Sequence, residues 1–136
     1  MEYYPNAREC REIVSEMMDS YSVPVPIKDC YEKLGIFDWW KDDLSKRDLG
    51  DMLVFLNRAI ENDFVGEVCF KVGIRGCANG MWADRADGYC LYRSFTPEYV
   101  EWSLMDPEKN FLMNGNSISF NRFPNLKKEA ENKGWM

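Results

Sequence analysis

The chain has 136 residues and not one histidine. That absence removes Ser-His-Asp and Cys-His catalytic units, the histidine general base and the histidine metal ligand. Any catalysis would rest on carboxylates, Lys, Tyr or an unassisted Cys, which weighs against an enzyme. Long apolar runs are missing too. A stretch such as Met52 to Leu56 is far shorter than the roughly 20 residues needed to span a bilayer. The opening "MEYYPNARECREIV" is charged and lacks an apolar h-region, so no secretory signal is expected and the cytoplasm is the expected compartment.

The five cysteines, Cys10, Cys30, Cys69, Cys77 and Cys90, are odd in number and include no C-x-x-C pair. They read as free thiols serving as small apolar side chains. A zinc site from Cys69, Cys77 and Cys90 would lack the closely spaced ligand pairs that structural zinc sites use. No metal and no cofactor is therefore expected. Internal repeats, low-complexity segments and linkers are likewise absent, so residues 1–136 read as a single domain.

Hydrophobic residues are 46% of the chain and aromatics 15%, ample for a core, while charged residues at 29% provide a solvated surface. The mean hydropathy is -0.48. Charge is segregated. Residues 1–64 hold 14 acids and 8 bases, and residues 65–136 hold 9 of each, so the net charge of -6 lies wholly in the first half.

The hydrophobic period changes at the same boundary. In "PNARECREIVSEMMDSYS", Ala7, Cys10, Ile13, Val14, Met17, Met18 and Tyr21 recur at helical intervals, with Glu9 and Glu12 toward the positive end of the macrodipole. "SVPVPI" interrupts that helix. Pro26 is placed to open a second, with Ile27, Cys30, Tyr31 and Leu34 inward and Gly35 as its stop. Ser45 and Asp48 form a capping-box pattern ahead of a third helix carrying Leu49, Met52, Leu53, Phe55, Leu56, Ala59 and Ile60. From Gly66 the period is two: "EVCFKVGIR" alternates as a strand with one buried face. Asn79-Gly80 and "ADG" signal turns, followed by "YCLYRSF", "YVEWSLM", the turn "DPEKN", "FLM" and "SISFNRF". Residues 97–105 are compatible with strand or helix, and Leu126–Asn132 with a short C-terminal helix. The expected class is α+β: about three N-terminal helices on a C-terminal antiparallel meander of four to six strands.

Two segments are candidate sites. Asp38, Asp42, Asp43, Asp48 and Asp51 surround the adjacent Trp39 and Trp40 in residues 37–51, although Lys41, Lys46 and Arg47 interrupt them. Negative charge beside an aromatic anchor suits a basic protein partner: complementarity speeds encounter and an indole supplies short-range energy. The second candidate is the sheet, where Arg75, Trp82, Arg85, Tyr92 and Arg93 could stack and neutralise a nucleotide. Its parity is imperfect, since Arg93 and Tyr92 fall on opposite faces. Cys77 beside a glycine turn and the Asp84/Asp87 pair are weaker signals of chemistry. The function expected from the sequence is that of a non-enzymatic acidic protein that blocks a basic, nucleic-acid-acting protein, as toxin-immunity and anti-CRISPR proteins do. The competing expectation is a small nucleotide-binding domain. Neither direct binding of long nucleic acids nor membrane association is expected.

Overall fold

The structure, a computed structural model, describes residues 5–22, 24–34, 43–71, 80–94, 102–108 and 111–113. It is α+β: among the described residues three helices lie N-terminal to an antiparallel sheet.

Helix α1 (Ala7–Ser20) starts at a reciprocal cap. The Glu9 backbone N–H donates to Asn6 Oδ1 (2.9 Å) and the Asn6 N–H donates back to Glu9 Oε1 (3.0 Å). Two otherwise orphaned donors are thereby satisfied. A two-residue strand β1 (Val25–Pro26) leads into the short helix α2 (Ile27–Lys33) and pairs with β2 (Asp43–Leu44). Within α2, Cys30 is buried, as is Leu34 just after it, but Tyr31 is 48% exposed. The expectation that Tyr31 faces inward is corrected: at seven residues, α2 is too short to bury more than one narrow stripe.

Helix α3 (Lys46–Glu61) follows the predicted box at Ser45 and Asp48. Its C-terminus is a complete Schellman motif. The Asp63 N–H donates to the Ile60 carbonyl (3.2 Å) and the Phe64 N–H to the Ala59 carbonyl (2.8 Å). Asp63 adopts the left-handed conformation the motif requires (φ 67°). Ala59 and Phe64, both fully buried, supply its apolar contact.

The buried faces of α1 and α3 pack together in one core, and two long-range bonds at its exposed edge show how the helices run. Arg11 Nη1, early in α1, donates to Asn57 Oδ1, late in α3 (3.4 Å). Lys46 Nζ, at the start of α3, donates to the Met18 carbonyl near the end of α1 (2.8 Å). The two helices are therefore antiparallel. Since α1 has no basic residue in its own last turn, the Lys46 ammonium provides the cation that its negative end favours.

The sheet runs β3 (Val68–Lys71), β4 (Gly80–Asp84), β5 (Cys90–Ser94), β6 (Trp102–Met105), β7 (Phe111–Met113), each antiparallel to the next. Residues 102–105, compatible with either element on sequence, are strand. Asn6 bridges to Glu67 and the Val68 N–H donates to the Pro5 carbonyl (3.1 Å), tying the start of α1 to β3. The "ADG" turn closes a three-residue hairpin loop. The Gly88 N–H donates to the Arg85 carbonyl (2.9 Å), and Gly88 at φ 93° supplies the left-handed position. Asn79-Gly80 does not make the tight hairpin its residues suggest. Gly80 lies in the ladder opposite Lys71 and Ser94, and Asn79 lies outside the described residues. Glycine is needed at 80 for another reason: a Cβ there would run into the Arg93 carbonyl oxygen and stand 2.5 Å from Tyr92 Cε1.

Val68, Phe70, Met81, Ala83, Leu91 and Leu104 face the helices and share one core with α1 and α3. The alternate positions, Cys69, Trp82, Cys90, Tyr92 and Met105, form a second buried cluster on the other face. The one-sided burial expected for the first strand is thus corrected, since Cys69 is 1% exposed. The expected strand at "SISFNRF" and the C-terminal helix lie outside the described residues.

Candidate protein-binding surface

The acids of the helical half form a pattern at the helical period that nearness in the chain hides. Along α1, Glu9, Glu12, Glu16 and Asp19 are all exposed, at spacings of three, four and three residues. That spacing places them in one stripe, opposite the buried Ala7, Cys10, Val14 and Met17. The stripe is about 15 Å long at the helical rise per residue. Its Asp19 end lies where Lys46 meets Met18, at the end of the helix pair that also carries Asp43 and Asp48 close by in the chain.

The predicted acids divide by role. Asp48 is 9% exposed and its carboxylate is engaged in the cap of α3. Oδ2 accepts from the Ser45 N–H (2.9 Å) and the Ser45 hydroxyl (3.0 Å), while the Asp48 N–H donates to Ser45 Oγ (3.1 Å). A side chain so held positions the helix and offers little to a partner. Asp43 is exposed, with Oδ1 3.4 Å from the Ile27 N–H at the start of α2. Asp51 is exposed on α3, and its main-chain carbonyl accepts from Arg93 Nη1 (3.2 Å). Asp38, Trp39, Trp40 and Asp42 lie outside the described residues.

On the sheet, Trp82 and Tyr92 are directly opposed on β4 and β5, and both are buried. Arg93 projects from the other face toward α3, and burial lowers its pKa against the opposing pull of Asp51. Arg85 is built into the hairpin corner. Its guanidinium lies 4.8 Å from the Phe64 ring centroid and 5.2 Å from that of Tyr89, and Nη2 meets Asp87 Oδ2 at 2.9 Å. Burial pushes the Asp87 carboxyl up, but the Arg85 and backbone hydrogen bonds outweigh it and hold the group below its ordinary value. The sheet therefore splits Trp82 and Tyr92 from Arg93, and Arg85 sits apart at the turn. Arg75 and Cys77 lie outside the described residues.

Other polar groups at the helical end are linked to one another. The Tyr21 hydroxyl donates to Asp29 Oδ2, joining the end of α1 to α2, and this bond raises the phenol above its ordinary pKa. Burial pushes the Cys10 and Cys30 thiols up to about 12, so they stay protonated and inert at neutral pH. Cys69 and Cys90 share a cluster but sit on strands separated by β4, about 10 Å apart at ordinary strand spacing, too far for one zinc ion. Among the described residues no group of Cys, Asp and Glu could hold a metal, and no helix is long and apolar enough to cross a membrane.

Comparison with protein-family models, with curated proteins and with solved structures finds no match to this chain.

Proposed function

We propose that the protein is a non-enzymatic inhibitor that engages a basic, nucleic-acid-acting protein through its acidic helical half, in the manner of toxin-immunity and anti-CRISPR proteins. Its expected place of action is the cytoplasm, where such partners work. The observation that carries this reading is the α1 stripe. With Glu9 held in the cap of α1, the carboxylates of Glu12, Glu16 and Asp19 rise about 6 and 4.5 Å along the helix axis, a row of negative charge. One strand of duplex DNA carries a phosphate about every 3.4 Å, so the row can compete for the Lys and Arg side chains of a phosphate-binding groove.

Helix stability accounts for Glu9, whose carboxylate caps α1, and favours Glu12, which lies toward the positive end with Arg8 at i−4, but gives no reason for Glu16 and Asp19. Glu16 has Glu12 at i−4 and Asp19 at i+3, with Ile13 and Ser20 at its remaining helical neighbour positions. Like charges at these spacings repel. Asp19 also stands in the last turn, where the macrodipole disfavours an anion. Local electrostatics that conflict with the fold are the places where a functional demand is expected. Asp43 and Asp51, both exposed, are further candidate contacts in the helical half, and Trp39 and Trp40 stay candidates from the sequence.

The nucleotide-binding alternative draws less support, because Trp82 and Tyr92 are buried on one sheet face while Arg93 leaves from the other. Affinity capture from nuclease-treated extract of the native host tests the proposal. Wild-type protein should retain a basic protein that salt releases, and a Glu12→Gln/Glu16→Gln/Asp19→Asn variant should not. Recovery of no basic protein, or equal recovery by both proteins, would overturn it.

A further inference from the structure

We draw no further inference here: the strongest candidate, the cluster of Cys69, Trp82, Cys90, Tyr92 and Met105 on the sheet face away from the helices, is closed to solvent, and nothing among the described residues shows what covers it.

Discussion

Replacing Glu16 by Gln should make the protein more stable. The substitution keeps the size of the side chain and nearly the same helix propensity, so charge is the main variable. It removes two repulsive neighbour pairs, with Glu12 and with Asp19, each worth about 0.2–0.5 kcal/mol on an exposed helix. The expected gain is therefore about 0.4–1 kcal/mol at low ionic strength, or roughly 1–4 °C in Tm for a domain of this size. Thermal unfolding followed by circular dichroism at low and high salt measures it. Screening shortens the Debye length from about 10 Å at 0.1 M to about 3 Å at 1 M, so the gain should shrink as salt is added. Glu12→Gln should gain less, because Glu12 also has Arg8 at i−4. A loss of stability in Glu16→Gln, or a gain that ignores salt, would refute the claim that the stripe opposes the fold.

Three further predictions concern the scaffold. Ser45→Ala and Asp48→Ala should each destabilise the protein by about 1 kcal/mol in chemical denaturation, since each breaks the α3 box. Unchanged midpoints would show that the cap contributes nothing. Asp63→Gly should raise stability by up to about 1 kcal/mol and Asp63→Val should lower it, because position 63 needs a left-handed backbone; the reverse order would contradict the Schellman assignment. Cys10 and Cys30 should resist alkylation at pH 8 in the native state and react once denatured, as read by peptide mass mapping. Rapid native labelling of either would exclude its buried placement.

Local signals in the sequence proved the most legible. Ser45 with Asp48 marks the start of α3, and "ADG" marks the β4–β5 turn, because caps and turns depend on a few adjacent residues. The α+β order followed from the change of period near Gly66. Burial was harder to read. Cys69 and Tyr92 alternate with core residues, and alternation alone cannot say whether the second face meets water or protein. Tyr31 matches a helical stripe in spacing yet stays half exposed, since a short helix buries few positions. Asp48 belongs on sequence both to the acidic segment and to the capping box, and in the structure its carboxylate is engaged by the cap. The α1 stripe is legible only at the helical period: Glu9, Glu12, Glu16 and Asp19 are scattered along the chain and join on one face of the helix.

Binding of a basic partner by these carboxylates should show itself in the salt dependence of affinity. With the captured protein in hand, Kd would be measured across ionic strength for wild type and for the Glu12→Gln/Glu16→Gln/Asp19→Asn variant. The variant should bind more weakly at low salt, show a shallower dependence of log Kd on log salt, and converge with wild type at high salt. Equal affinities and equal slopes, in a variant as stable as or more stable than wild type, would contradict it.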